Sequence, residues 1–290
     1  MRTPTIAAPD PNPKTPKFKA PPLSCDAHTH IFGPDDQYPY ADDASYIPPD
    51  AGLDDFRKLH ERIGIERAVI VNASCHGLDN TVVTDAIAAS NGRYKGVGNV
   101  DDQFTEKQIE ALDKGGIHGC RFTFLKRLGR TPDMSAFRRV VDIIKPFKWH
   151  VVVYLDPETV ADFAPILTAL PVDYVIDHMG TVKAAKGVDQ PNFKALLDLA
   201  KRDEKCWVKC CGFERASAAG PPFHDAVPFG AKLVETIPDR VLWGTDWPHP
   251  NVSVMPNDGE LVDLIPLFAP DAAQQKKLLV DNPARLYRFQ

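Results

Sequence analysis

An α/β chain folded as a single (β/α)8 barrel is what this sequence predicts. Eight short β-branched runs alternate with amphipathic helical patterns. With 290 residues, 43% of them hydrophobic, the chain can fill one barrel-sized core. An open, doubly wound sheet is the runner-up, and it is weaker because no GxGxxG or GxxxxGK[ST] loop follows the first strand.

Residues 1–22, MRTPTIAAPDPNPKTPKFKAPP, carry seven prolines, which neither a helix nor a strand ladder accommodates. They read as an extended arm, packed on the domain or on a partner subunit, ahead of one barrel domain over 23–290. The strands then read, in order, as 24–30 (SCDAHTH), 67–72 (RAVIVN), 95–100 (KGVGNV), 117–124 (IHGCRFTF), 149–155 (WHVVVYL), 173–178 (DYVIDH), 206–211 (CWVKCC) and 240–245 (RVLWGT). Between them, DDFRKLHERIG, DNTVVTDAIAAS, EKQIEALDKGG, MSAFRRVVDIIK, PETVADFAPILTAL, NFKALLDLAKRD and FHDAVPFGAKLVETI place apolar residues at three- and four-residue intervals. Near-continuous apolar strands covered by outer helices are the pattern of a parallel barrel.

The net charge of −5 is modest, and basic residues are interleaved with acids, so neither nucleic acid nor an anionic membrane is the expected partner. Six cysteines are scattered without a CxxC pair and read as reduced, buried thiols. No basic segment followed by an apolar core opens the chain, and no run of about 18 apolar residues occurs. A cytoplasmic protein acting on a small molecule is the expectation, with a homo-oligomer left open.

Functional groups of such barrels collect at the carboxyl ends of the strands, and polar residues fall there in number. His28 and His30 end the first strand, and a period of two predicts that they point one way while Ala27 and Thr29 point the other. Ser74 and His76 follow the second strand, Asp101 the third, and Arg121, Lys126 and Arg127 lie on and after the fourth. Tyr154 and His178 end the fifth and sixth, Arg215 follows the seventh, and Asp246 and His249 follow the eighth. An isolated HxH pair is weak evidence, since a strand histidine can be structural. Three imidazoles and an aspartate from strands one, six and eight are stronger. They can meet at the barrel axis, either to hold a metal or to position a water and a carbonyl.

The cations suggest the substrate class. Arg121, Lys126, Arg127 and Arg215 at one rim call for an anion, and guanidinium forks match carboxylates, so a dianion is the expected ligand. Solvated loop charges are the competing reading for Lys126, Arg127 and Arg215, whereas Arg121 lies inside an apolar strand. Tyr46 in the 33–50 insertion, Ser74, His76, Tyr154, His249 and Asn251 are the expected hydrogen-bonding partners of substrate. A Cys75 nucleophile is disfavoured, because neighbours in extended chain face opposite ways.

Through DAHTH, IDHMG and WGTDWPHP the chain resembles the amidohydrolase superfamily over nearly its whole length. More narrowly, DAHTHIFGP, NASCHGLDN, RFTFLKR, VIDHMG, AGPP and VLWGTDWPHPN resemble the 2-pyrone-4,6-dicarboxylate lactonases, which act in catabolism of lignin-derived aromatic compounds. Binuclear members of the superfamily use a carbamylated lysine late in the fourth strand and a histidine on the fifth. Here those strands offer Arg121, Thr123 and Tyr154, so a two-metal centre lacks its bridge. The resemblance implies a lactonase with no required metal, in which Asp246 acts as general base and His28, His30 and His178 assist. A mononuclear zinc held by His28, His30, His178 and Asp246 is the alternative. The competing functions are hydrolysis of a related anionic lactone such as a sulfomuconolactone, zinc-dependent decarboxylation of an aromatic acid, and non-catalytic anion binding.

Overall fold

A computed structural model describes residues 2–125 and 133–290. Eight parallel strands run in sequence order: β1 (Cys25–Thr29), β2 (Arg67–Val71), β3 (Tyr94–Gly98), β4 (Ile117–Phe124), β5 (His150–Leu155), β6 (Tyr174–Ile176), β7 (Cys206–Cys210) and β8 (Val241–Trp243). Helices α1 (Leu53–Ile63), α2 (Thr81–Ala88), α3 (Glu106–Lys114), α4 (Met134–Ile144), α5 (Val160–Thr168), α6 (Pro191–Arg202), a short α7 (Phe213–Ala216) and α8 (Val227–Thr236) return the chain between them. Each expected strand is present, most of them one to three residues shorter than its sequence pattern.

The helices form for local reasons. In α1, Phe56, Leu59, His60 and Ile63 recur at three- and four-residue spacing and are buried, and Gly64 ends the helix at φ 73°, a left-handed position that favours glycine. Thr105 and Gln108 make a reciprocal capping box for α3, and the Asp133 side chain accepts from the Ser135 N–H at the start of α4. Four short helices missing from the sequence pattern follow β8: α9 (Asp258–Asp263), α10 (Ile265–Phe268), α11 (Ala272–Lys276) and α12 (Asn282–Tyr287).

Two apolar layers hold the fold. Val69, Val71, Val97, Val152, Val175, Trp207 and Leu242 fill the inside, joined from α12 by Leu286 and Tyr287. The alternate strand residues, such as Ala68, Ile70, Val151, Val153, Val208 and Val241, pack outward beneath the helices. The seam between β1 and β8 is closed by side chain and backbone together. Asp26 accepts from the Thr245 N–H at 3.0 Å and its hydroxyl at 2.6 Å, and the Asp246 N–H donates to the His28 carbonyl at 2.8 Å. Gly244 permits this approach, because a Cβ there would lie 2.7 Å from the His28 nitrogen.

The proline-rich arm lies against this same domain. Backbone N–H groups of Lys17 and Phe18 donate to Asp263 at 2.7 and 2.8 Å, Lys14 donates to Asn257 at 3.0 Å, and Thr5 donates to the Ile47 carbonyl at 2.7 Å. No helix among the described residues is long and apolar enough to cross a membrane, and all six cysteines are free and buried.

Candidate active site

At the carboxyl end of the barrel the strand ends converge on Asp246. The pairing register of β1 shifts between Asp26 and Thr29, and Ala27 packs inside with Val69 and Val71. Strict alternation therefore fails here, contrary to the sequence expectation that Ala27 faces away. The two imidazoles nevertheless meet one oxygen: His28 Nε2 and His30 Nε2 each lie 3.4 Å from Asp246 Oδ1. Arg215 holds the other oxygen, with Nε at 2.8 Å and Nη2 at 2.5 Å from Oδ2. His178 stacks obliquely on His28, with ring centroids 4.8 Å apart. Left-handed backbone at His178 (φ 50°), Asp246 (φ 70°) and Asn251 (φ 60°) concentrates strain at this rim, where surrounding contacts must hold it.

A second tier lies beneath. In β7 the inward phase runs through Trp207, so Lys209 also points inside, fully buried. Its Nζ lies 2.9 Å from His28 Nδ1 and 3.2 Å from Asp177 Oδ1. Arg121 Nε donates to Asp177 Oδ2 at 2.8 Å, and its guanidinium sits 4.9 Å from the centroid of the Tyr154 ring. The rim cations Arg121 and Arg215 thus already have carboxylate partners. Asp177 serves Arg121 and the buried Lys209 together, and Asp246 serves Arg215, so two carboxylates face three cations.

Burial and charge oppose each other throughout. Burial pushes Asp177 up, but Lys209 and Arg121 outweigh it and hold the carboxyl well below the usual range. For Asp246 burial is likewise overcome, chiefly by Arg215 and then by the imidazoles. Burial pulls His178 down to about 4 against the pull of Asp246 and Asp177. Burial, reinforced by Lys209, drives His28 well below its ordinary value. Burial thus favours the neutral ring at His28 and His178, and the neighbouring cations favour the ionised form of Asp177 and Asp246.

His30, His178, Asp246, Arg121 and Arg215 line a small chamber of about 60 Å³ with Tyr46, Ser74, Thr123, Tyr154 and Asn251, and His28, Asp177 and Lys209 lie buried behind its wall. It adjoins a vestibule of about 400 Å³ through the shared residues Tyr154, His178, Arg215 and Asn251. A larger hollow of about 900 Å³ lies between the arm and α1, but it gathers no histidine and shares no lining residue with this chamber. Of the sequence-predicted residues, His28, His30, His178, Asp246, Arg121, Arg215, Tyr46, Ser74, Tyr154 and Asn251 come together here. Two others do not line the chamber. His249 is buried just behind it, with Nε2 2.9 Å from Asp258 Oδ1 and a ring nitrogen within 4.8 Å of carboxylate oxygens of Asp246 and Glu214, and His76 packs against Tyr40, ring centroids 5.0 Å apart. Lys126 and Arg127 lie outside the described residues.

Sequence reasoning missed Lys209, Asp177, Cys211 and Glu214. Cys211 Sγ lies 3.2 Å from His178 Nδ1, and Glu214 Oε1 lies 3.3 Å from Arg215 Nε. The signal for Lys209 was present: a lone cation inside the apolar CWVKCC strand, the same anomaly that singled out Arg121.

His28, His178 and Asp246 can bring one ligand atom each within 4.8 Å of one another, the spacing of a metal site. Their wiring does not fit a divalent ion. An ammonium donating to His28 Nδ1 leaves the proton of the neutral ring on Nε2, the atom that faces Asp246. Asp246 Oδ2 is already doubly bonded to Arg215. A bound ion would have to displace that Nε2 proton with two cations close by.

The comparisons agree with this architecture. A 2-pyrone-4,6-dicarboxylate hydrolase from Comamonas testosteroni is 41% identical over 285 residues, covering 95% of this chain and 93% of that protein. A 4-sulfomuconolactone hydrolase from Hydrogenophaga intermedia is 41% identical over 275 residues, covering 93% and 90%. A crystal structure from Agrobacterium tumefaciens superimposes with a TM-score of 0.83 at 29% identity, covering 95% of this chain and 99% of that one. Residues 25–289 match the amidohydrolase family, and the chain belongs to it.

Proposed function

We propose that this chain hydrolyses the ring ester of an anionic lactone, with 2-pyrone-4,6-dicarboxylate as substrate and the open 4-oxalomesaconate-type acid as product, in catabolism of lignin-derived aromatic compounds. The observation that carries this reading is the division of labour at Asp246: Arg215 holds Oδ2, and Oδ1 faces the imidazoles of His28 and His30. The relatives of 41% identity, both named as lactone hydrolases, support it.

Asp246 Oδ1 takes a proton from water as the water oxygen bonds to the ring carbonyl carbon. His28, His178 and Arg121 surround the oxygen on which negative charge develops and supply its N–H donors, while His30, whose Nδ1–H donates to the Val71 carbonyl at 2.7 Å, turns its Nε2 lone pair toward the site. Collapse breaks the ring C–O bond, and the departing oxygen takes the proton back from Asp246. The new carboxylic acid then ionises, releasing one proton to solvent. Arg121, Arg127, Arg215, Tyr46, Ser74, Tyr154 and Asn251 hold the substrate anions, and no metal is required.

Arg215 makes Asp246 a weak base at rest, which would slow proton transfer. A substrate carboxylate that competes for the guanidinium loosens its hold on Oδ2 and restores basicity when the substrate is in place. Turnover in ¹⁸O-labelled water tests the reaction class. Hydrolysis puts one labelled oxygen into the new carboxylate, whereas release of carbon dioxide without label would replace this reading with decarboxylation. A sulfonated muconolactone is the second reading, favoured by the sulfomuconolactone hydrolase relative, and the ratio of kcat/KM for the two lactones decides between them.

A further inference from the structure

Lys209 has no part in the proposed proton transfers, yet it is fully buried at the floor of the site. Burying an ammonium is costly unless its hydrogens are placed, and here the contacts are specific: 2.9 Å to His28 Nδ1 and 3.2 Å to Asp177 Oδ1. Without Lys209, the nearest partner for His28 Nδ1 would be the same Asp177 oxygen, 3.4 Å away. Carboxylate, imidazole Nδ1–H and a free Nε2 lone pair make the arrangement that orients a metal-binding histidine. The barrel therefore contains the parts of such a centre, with a lysine inserted at the point that sets the tautomer.

We propose that Lys209 is a positioning residue that fixes His28 as the Nε2–H tautomer, so that the ring presents a hydrogen-bond donor toward Asp246 Oδ1 and refuses a divalent metal. Nδ1 has a single lone pair, and the ammonium occupies it. His28 Nε2 then carries the hydrogen, with Asp246 Oδ1 at 3.4 Å as the nearest carboxylate oxygen. Replacing Lys209 by methionine keeps apolar volume, and Asp177 keeps Arg121 at 2.8 Å, so the carboxylate is not left bare. His28 Nδ1–H then turns to Asp177, and Nε2 becomes a ligand beside His178 and Asp246. The kinetic role of His28 rests on the lactonase reading, but its tautomer and metal affinity do not.

Two measurements made without substrate test this. In ¹⁵N-histidine spectra of the wild-type protein, with His28 assigned through His28→Asn, the proton is expected on Nε2 and Nδ1 is expected unprotonated. A proton on Nδ1 in the wild type would overturn the proposal, whether or not any variant folds. After incubation with zinc and gel filtration, Lys209→Met, checked for folding by circular dichroism, should retain about one equivalent, and the wild type less than about one tenth. Adding Asp177→Asn to Lys209→Met should weaken zinc binding by about 10- to 100-fold. Equal zinc content in wild type and folded Lys209→Met, at any level, would equally overturn it. Loss of lactone turnover in the wild type, with both results as expected, would refute the reaction and leave the role of Lys209 standing.

Discussion

Arg215 sets two nitrogens on a single oxygen of Asp246, 2.8 and 2.5 Å from Oδ2, and by doing so leaves Oδ1 to the imidazoles of His28 and His30. One carboxylate is thereby divided into a structural half and a reactive half. Asp246→Asn keeps the shape but cannot accept a proton from water. It should lower kcat by roughly 10²- to 10⁴-fold with an unchanged circular dichroism spectrum. Near-normal kcat would remove Asp246 from the base role.

The same pair sets the pH dependence. Asp246 is active as the carboxylate, and despite burial Arg215 holds its pKa well below the usual range. Activity of the free enzyme should therefore persist as pH falls through 5 and 4, because the group stays ionised there. Arg215→Met removes the depressing charge and leaves burial, so the acid limb of kcat/KM should move to higher pH. An acid limb at the same pH in both proteins would show that another group governs it.

Arg121 is tied to Asp177 at 2.8 Å, so Arg121→Met carries two costs. The variant should lose on the order of 2 to 4 kcal/mol in kcat/KM and also unfold at a lower temperature, since one partner of a buried pair is gone. Arg127→Met, whose position lies outside the described residues, should show the kinetic loss. A substrate analogue lacking one carboxylate separates packing from recognition. The variant whose arginine serves that group should lose much less further affinity on its removal than the wild type does. Additive losses would assign Arg121 to structure alone.

Buried histidines make stability fall on acidification. Burial brings His150 down to about 3 and His178 to about 4. Each is lowered in the folded state, so its contribution is complete above the unfolded value near 6.5 and is lost as pH drops from there toward 4 and 3. The unfolding free energy should decline across that window by up to about 1.4 kcal/mol per pH unit for each histidine, and the melting temperature with it. His150→Asn should flatten the decline. A flat melting temperature from pH 7 to 4 would contradict the burial of these rings as neutral species.

Ring opening releases a proton, so the apparent equilibrium between lactone and open acid should shift about tenfold per pH unit, with closure favoured in acid. Equilibrium mixtures approached from both directions, measured at several pH values, check this. A pH-independent ratio would mean that the reaction is not ester hydrolysis.

The eight strands were legible because each is buried on both faces and therefore continuously apolar, as in RAVIV and HVVVYL. The helices after β8 were not, since each spans six residues or fewer and Pro266 and Pro283 interrupt the periodicity. His28, His30, His178 and Asp246 could be found from strand-end position alone. Their wiring could not. Lys209 and Asp177 meet across β7 and the end of β6, a contact that exists only once those two strands pair in register, and the left-handed backbone at Asp246 and His178 is likewise imposed by tertiary contacts. For His249, rim position located the residue but not its partner: it stays within 4.8 Å of Asp246 and Glu214 oxygens, while the turn that presents Asp246 directs its Nε2 onto Asp258.

The central claim, that the Asp246 site opens a dicarboxylated lactone with protein groups alone, is tested most directly by following the absorbance of 2-pyrone-4,6-dicarboxylate with purified enzyme, before and after exhaustive treatment with a chelator. Pyrone absorbance should fall at the same rate in both samples. No turnover of the pyrone, or activity that disappears with the chelator and returns on addition of zinc, would contradict it.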